Sequence, residues 1–256
     1  KTASDGYQTW SKFFGGSLED QGRSVKATPD GGCVVAGSTN SFGAGGYDFW
    51  LLKVDANGNE QRSKTFGGPG DETAYAVERA SDGGFILAGH AQSLPNATWL
   101  VKTDANGNEQ WNREISGLSV DSSSCLKRAG DGGYMLAGRT AGVSSSDLLL
   151  VKTNSLGQEE WRKTHAGEYE SFGHAAQQTP DGGYIVVGDT GYDLVILLLK
   201  FDRYGNGEWS KTFGGNSSAT GSDIQVTTDG GYIIAGETRS TGFGDVLLLK
   251  TDEYGN

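Results

Sequence analysis

Short apolar runs separated by glycine-rich polar turns recur along the whole chain. A string of two glycines, three mostly apolar residues, Ala or Val, and a further Gly occurs five times, about 50 residues apart. The copies begin at Gly31, Gly83, Gly132, Gly182 and Gly230. Because self-similarity at a fixed period marks repeat architectures, the chain is predicted to consist of five equivalent structural units.

Each unit is predicted to contain four β-strands, because its apolar residues alternate or form runs too short for helices. In the second unit these strands are expected near residues 74–80, 85–91, 99–104 and 110–115. Ser-Asp-Gly-Gly joins the first pair and Asp-Ala-Asn-Gly-Asn the second, and both strings favour tight turns with positive φ. Four strands in every repeat of this length are typical of a β-propeller blade.

The two ends of the chain are predicted to pair. The last unit lacks a fourth strand, while residues 7–16 form an additional one whose sequence resembles residues 208–215. We therefore expect an all-β fold, a single five-bladed β-propeller of four-stranded blades, closed by the N-terminal strand completing the last blade. The predicted blades are residues 17–68, 69–117, 118–167, 168–215, and 216–256 together with 7–16.

The repeats resemble the short β-propeller repeats of exported bacterial and archaeal proteins, through their Asp-Gly-Gly-apolar-Ala-Gly and Asp-x-x-Gly-x-x-x-Trp strings. This resemblance covers essentially the whole chain. The Trp-bearing half, as in residues 104–111, is similar to the tryptophan-docking repeat of quinoprotein dehydrogenases, whose rings are larger, typically of eight blades. Tachylectin-type lectins are similar in having five nearly identical blades. The resemblance implies an exported, extracellular or cell-surface protein.

Charge and composition exclude several classes of protein. The 21 basic against 32 acidic residues give a net charge of -11, and no basic patch for nucleic acid is visible. The longest apolar run, residues 194–199, is too short to span a bilayer. Cys33 and Cys125 have no metal-binding spacing. The first residue, Lys1 rather than Met, indicates a processed export product or an excised domain, expected as a monomer or part of a larger chain.

Residues found in nearly every unit are expected to serve the blade. The tryptophans should pack between neighbouring blades, with exposed sugar platforms as the alternative. The lysine of each third strand should lie on a solvated face beside acids such as Asp55 and Asp104. These recurring residues are Trp10, Trp111, Trp161 and Trp209, and Lys53, Lys102, Lys152, Lys200 and Lys250.

The turns at 55–60 and 104–109 resemble calcium loops, because their carboxylate and amide oxygens suit a hard cation. However, the copies at 154–159 and 202–208 lose several of these groups without disturbing the surrounding pattern. Turn chemistry alone explains the Asp, Asn and Gly residues. The sequence therefore predicts no cofactor, with calcium at these turns as the alternative.

Positions where the five units differ are the candidates for function, since binding residues lie on variable loops of a rigid scaffold. The residue after each second-strand glycine is different in every unit, and the entrances to the inner strands are unevenly acidic. Asp223 replaces a small residue of the other units. The predicted binding residues are Arg139, Asp189, Tyr192, Glu237, His90, Asp223 and Glu170.

Three functions are compatible with these residues. The leading hypothesis is a non-catalytic recognition module that binds carbohydrate, since aromatic planes beside carboxylates and amides suit sugars. The first alternative is a glycoside hydrolase or lyase with carboxylates at the mouth of the central channel. The second is a protein–protein interaction scaffold with a polypeptide ligand. The candidate acids for catalysis are Asp20, Glu72, Asp121, Glu170 and Asp223.

Overall fold

The computed structural model describes residues 1–2, 4–94, 97–120, 125–140, 146–166, 169–191, 194–214, 218–239 and 244–256. Within these ranges the chain forms twenty β-strands and no α-helix. Among the described residues there is thus no helix long and apolar enough to cross a membrane. The chain divides into two compact units, Lys1–Glu114 and Ile115–Asn256.

The first unit contains two antiparallel sheets, each with its four strands in chain order. The first sheet consists of β1 (Asp20–Ala27), β2 (Cys33–Thr39), β3 (Asp48–Val54) and β4 (Glu60–Phe66). The second consists of β5 (Glu72–Arg79), β6 (Phe85–Ala91), β7 (Ala97–Thr103) and β8 (Glu109–Ser116).

The second unit contains three antiparallel sheets. The third sheet consists of β9 (Leu118–Ser119), β10 (Leu126–Arg128), β11 (Tyr134–Thr140), β12 (Leu148–Thr153) and β13 (Glu159–His165), with β9 paired to β11. The fourth consists of β14 (Ser171–Gln178), β15 (Tyr184–Thr190), β16 (Val195–Phe201) and β17 (Gly207–Phe213). The fifth consists of β18 (Ala219–Val226), β19 (Tyr232–Thr238) and β20 (Asp245–Thr251).

Five repeated sheets of antiparallel strands agree with the predicted repeat, and the second sheet matches the expected strand positions to within about two residues. The predicted closure is not confirmed. In the described structure the fifth sheet has three strands, and residues 7–16 do not pair with β20. Trp10 instead contacts the first sheet, where its indole Nε1 donates a hydrogen bond to the carbonyl oxygen of Ala56 at 2.9 Å.

The second and third strands of the sheets supply most of the core. In the first unit, Val34 and Phe49 of the first sheet pack with Phe85 and Leu87 of the second. In the second unit, one apolar cluster joins the third and fourth sheets, and another joins the fourth and fifth. Burial of apolar surface contributes roughly 25 cal/mol per Å². Each sheet therefore depends on a neighbouring sheet to cover its apolar face.

Two tryptophans pack between neighbouring sheets, which confirms that prediction for the second unit. The ring of Trp161 lies 5.7 Å from that of Tyr184 in the next sheet, and Trp209 lies 6.1 Å from Tyr232. The Trp161 ring also covers Gly205, whose φ of +78° and lack of a Cβ allow this close approach. Apolar contact therefore accounts for these two rings.

The prediction that the recurring lysines lie on a solvated face is wrong for Lys102, Lys152 and Lys200, which are buried. Each ammonium group pairs with the aspartate of the Asp-Gly-Gly turn in its own sheet, as in the 2.7 Å contact of Lys152 with Asp131. The acids that we expected beside them, Asp55 and Asp104, form hydrogen bonds within their own turns instead. Asp104 accepts hydrogen bonds from the backbone amides of its own turn.

Lys152 shows how such a buried charge is compensated. Its Nζ donates to Asp131, to Glu160 at 2.7 Å and to the carbonyl oxygen of Thr153 at 2.9 Å. Burial lowers the pKa of Lys152, but the hydrogen bonds to the two carboxylates outweigh it and hold the pKa above the ordinary value. The lysine thereby connects the turn between β10 and β11 to β13.

We expect Lys152→Met to lower the free energy of unfolding by about 1–3 kcal/mol, because the substitution removes three buried hydrogen bonds. Arg162→Met is the control in the same sheet. Arg162 is exposed, so its ion pair with Glu159 should contribute at most about 1 kcal/mol. Urea unfolding of both variants measures the difference. A Lys152→Met protein at least as stable as the parent would contradict this interpretation.

Candidate functional site

A β-bulge interrupts the first strand in four of the five sheets. It lies opposite the glycine that ends the repeated apolar string in the second strand, where a Cβ would collide with a carbonyl oxygen of the first strand. The glycines concerned are Gly37, Gly89, Gly188 and Gly236. In the third sheet, residues 121–124 lie outside the described ranges. The repeated glycine therefore permits the close backbone contact at each described bulge.

The four bulged residues are Arg23, Tyr75, His174 and Ser222. A bulge redirects a side chain and is common next to binding sites. Four different side chains thus occupy one geometric position on a nearly constant scaffold. None of the four is among the predicted binding residues, although Arg23, Tyr75 and His174 each lie between two small residues in the aligned repeats.

In the first unit, the bulged residues begin a polar chain along the surface of β1. The guanidinium of Arg23 lies 5.2 Å from the ring centroid of Tyr75, and its Nη2 donates to Gln21 at 2.7 Å. Gln21 in turn donates to Glu19, which also accepts a 2.6 Å hydrogen bond from the Tyr47 hydroxyl. These hydrogen bonds, with that from Tyr47 the largest, lower the pKa of Glu19.

Two buried carboxylates lie close together on the first residues of β3 and β5. Asp48 is 1% exposed and Glu72 is 3% exposed, and both border the point that a Cβ on Gly67 would occupy. Asp48 Oδ2 accepts a hydrogen bond from the Ala44 amide, and Glu72 Oε2 accepts one from the Gly68 amide, both at 2.9 Å. Burial raises the pKa of Asp48 despite the Ala44 hydrogen bond.

Glu72 also lines a cavity of about 470 Å³ in the first unit. Its other walls include Pro69, Gln92, Leu94 and Trp99. An acid, an amide and an aromatic ring that converge on one concave surface are typical of a small-molecule site.

Asp71 lies beside this cavity, between the lining residues Gly70 and Glu72. Its carboxylate is exposed and accepts a 2.9 Å hydrogen bond from the Tyr47 amide, while its own amide donates to Gln92 Oε1 at 3.1 Å. A buried carboxylate in the cavity wall and an exposed one beside the cavity thus lie on consecutive residues.

In the second unit, Arg139 and Asp189 are brought together around Phe172. The guanidinium of Arg139 lies 5.4 Å from the Phe172 ring centroid. Phe172 is directly opposite Asp189 in the pairing of β14 with β15, and Asp189 Oδ1 contacts the Nε2 atom of His174. Two of the seven predicted binding residues therefore share one location with the bulged histidine.

The other predicted binding residues have separate surroundings. Glu237 is exposed and pairs with Arg239 at 3.2 Å, while His90 and Glu170 are also exposed. Asp223 is half-buried and accepts a hydrogen bond from the Ile224 amide. Tyr192 lies outside the described residues, as does the candidate acid Asp121. Their convergence on one site stays a prediction.

The turns that resemble calcium loops use their carboxylates locally. Asp55 Oδ1 accepts hydrogen bonds from the amides of Asn57 and Asn59, and its Oδ2 accepts one from the Asn59 side chain. The described residues contain no group of three or more His, Cys, Asp or Glu side chains that could hold a metal ion. Turn formation therefore accounts for these oxygens.

No family model and no curated protein matches this chain. Solved structures do match, with 10–13% identity over 91% of the chain. A Dyadobacter fermentans protein of unknown function has a TM-score of 0.60, and the chain covers 79% of it. A puromycin hydrolase mutant in complex with PGG also has 0.60, with 39% covered, and a europium-containing methanol dehydrogenase has 0.51, with 57% covered. These neighbours are propeller-like, so the chain has a β-propeller-like fold.

This result corrects the leading functional prediction. The similar structures above with a named activity are a hydrolase and a dehydrogenase, and neither is a carbohydrate-binding module. The prediction of a lectin-like recognition module was wrong because it gave most weight to the near identity of the repeats. That identity reflects packing and turn geometry, which the glycines and tryptophans above account for.

Proposed function

We propose that the chain is a glycoside hydrolase whose site is the cavity beside Glu72. The observation that carries this proposal is a 3%-exposed carboxylate in the wall of a 470 Å³ cavity, next to a second buried acid, Asp48. Burial favours the protonated form of a carboxyl group, and it raises the pKa of Asp48. Glycosidic oxygen needs a proton when its bond to the sugar breaks.

Glu72 is the proton donor in this proposal because it lines the cavity. Asp48 does not line it and is a positioning residue: in its protonated form it places no second negative charge beside the carboxylate that Glu72 becomes on donating its proton. The raised pKa of Asp48 supports that role. The Gly68 amide, which donates to Glu72, fixes the orientation of the donor carboxyl group.

Asp71 supplies the second carboxylate that hydrolysis requires. It is exposed and accepts a hydrogen bond from the Tyr47 amide. In the proposal it activates the attacking water as a general base. Trp99 offers an aromatic face for a sugar ring, and Gln92 offers an amide for hydroxyl groups.

The named activities of two similar structures, a hydrolase and a methanol dehydrogenase, support an enzymatic use of this type of scaffold. Of these two chemistries, hydrolysis suits the cavity better because it needs acids and water. The substrate class comes from the cavity itself, whose wall contains the Glu72 carboxylate and the Trp99 ring.

We expect the protein to release reducing ends from one or more members of a panel of neutral and acidic polysaccharides. Glu72→Gln and Asp71→Asn should each lower kcat by about 10²- to 10⁴-fold, the usual contribution of a general acid or base. Reducing-end assays on the identified substrate measure both variants.

Asp20→Asn provides the matched control for this experiment. Asp20 starts β1 as Glu72 starts β5, and it accepts a hydrogen bond from the amide four residues earlier, as Glu72 does. Its substitution therefore reports the loss of this loop contact alone, and kcat should change less than about threefold. Full activity of Glu72→Gln, or no product from any polysaccharide, would contradict the proposed function.

We also propose that residues 7–16 complete the fifth sheet and close a five-bladed ring. Trp10 supports this, because its ring covers Gly58 as the Trp209 ring covers Gly255. Lys12 donates to Asn59 at 2.7 Å, just as Lys211 donates to Asn256 at 3.2 Å. The N-terminal segment thus contacts the first sheet as a fourth strand of the preceding sheet would.

The exposed edge of β20 supports the same closure. Val246 is 88% exposed and Leu248 is 67% exposed, although the corresponding residues Ile196 and Leu198 of the fourth sheet are buried. An exposed apolar strand edge favours pairing with another strand. By the register of β16 with β17, Leu248 should lie opposite Lys12.

A disulfide tests this closure directly. In a background lacking the two native cysteines, Lys12→Cys with Leu248→Cys should form an intramolecular disulfide under mild oxidation, because paired strands place the Cα atoms within reach. Mass spectrometry detects the bond. Lys12→Cys with Leu156→Cys, an exposed residue in a turn of the third sheet, is the control that should stay reduced. Equal oxidation of both pairs would contradict closure.

A further inference from the structure

The fourth sheet contains a histidine–aspartate pair that the proposed hydrolysis does not use. His174 is the bulged residue of β14, and its Nε2 atom contacts Asp189 Oδ1. His174 is half-buried, whereas Asp189 is only 3% exposed. A buried carboxylate that contacts one ring nitrogen fixes the orientation of an imidazole.

The scaffold does not require a carboxylate at position 189. The equivalent position in the first sheet is Ser38, which is 2% exposed, so a small neutral side chain fits there. Burying a carboxylate is costly unless it is paired. The pair with His174 compensates this cost, and since neither residue recurs in the other sheets, the fold itself does not explain it.

Arg139 is held beside this pair by a close approach of two glycines. A Cβ on Gly173 would lie 3.1 Å from the carbonyl oxygen of Gly138, so β11 and β14 nearly touch at this point. Arg139 follows Gly138, while Phe172 and His174 flank Gly173. The Arg139 guanidinium consequently lies over the Phe172 ring, with its centre 5.4 Å from the ring centroid.

This arrangement leaves Arg139 suited to an external anion. Stacking on an aromatic ring covers the face of a guanidinium and leaves its in-plane N–H donors available. Within the described ranges, no carboxylate forms an ion pair with Arg139. Asp189, which is opposite Phe172 in the pairing of β14 with β15, contacts His174 instead.

We propose that Arg139 and His174 bind the carboxylate of a small organic acid, with D-glucuronate as the probe. The planar guanidinium matches a carboxylate with two parallel hydrogen bonds, and the acidic side chain of Asp189 beside the site disfavours a doubly charged phosphate. A chain of net charge -11 needs such a local cationic site to hold an anion. This inference stands independently of the proposed hydrolysis.

The three histidines of the chain allow this proposal to be tested by NMR. Their ¹H–¹³C ring signals are assigned with His90→Gln and His165→Gln, and the protein is titrated with D-glucuronate, D-glucose and inorganic phosphate. D-glucuronate should shift the His174 signals in a saturable way, while the neutral D-glucose should not. Arg139→Gln should weaken D-glucuronate binding at least about tenfold.

Arg128→Gln is the matched control, since Arg128 is an exposed arginine of the same sheet and should bind D-glucuronate like the parent. Unchanged His174 signals with D-glucuronate would overturn the proposal. So would equal binding by Arg139→Gln and the parent, or a response to phosphate alone. Because no polysaccharide cleavage is measured, failure here is distinguishable from failure of the hydrolase proposal.

Discussion

One backbone contact recurs in the sheets of this protein and positions their first strands. The first strand lies so close to the second that only glycine fits at the point of contact in the second strand. At Gly37, Gly89, Gly188 and Gly236 the collision would be with a carbonyl oxygen, which a side chain does not displace without moving the strand. The first strand bulges at this contact. The repeated glycine thus fixes the place of the bulge in the first strand, while the side chain of the bulged residue differs from sheet to sheet.

Both candidate sites lie where the contacts that stabilise every sheet leave positions unused. Turn aspartates hold the buried lysines, tryptophans cover turn glycines, and the second and third strands form the apolar clusters. None of these contacts uses the ends of β3 and β5 or the bulge of β14. Those places are therefore able to carry Glu72 and His174, which differ from their counterparts in other sheets, and Asp48, which has Asp147 and Asp245 as counterparts.

The sequence predicted the repeat and its strands well because period and turn chemistry are local properties. It placed Glu72 and Asp189 among the candidates because both differ between repeats. It did not indicate Asp48 and did not select His174 as a binding residue, since their significance depends on contacts between neighbouring strands and sheets. The lysines were misplaced for a related reason: the charge of Lys152 appears solvated in a strand pattern, whereas its acidic partner lies in a turn about 20 residues away.

The central claim is that Asp48 keeps its proton beside Glu72. Burial raises the pKa of Asp48 above 3.8, so its ionised form is disfavoured in the folded protein and its ionisation opposes folding as the pH rises through that pKa. Infrared spectra of the parent and Asp48→Asn, recorded from pH 3 to 8 (roughly the range in which folded carboxyl groups titrate), measure this directly. The account predicts a protonated-carboxyl band that persists above the range of ordinary aspartates and is missing in Asp48→Asn. Identical titrations of the two proteins would contradict it.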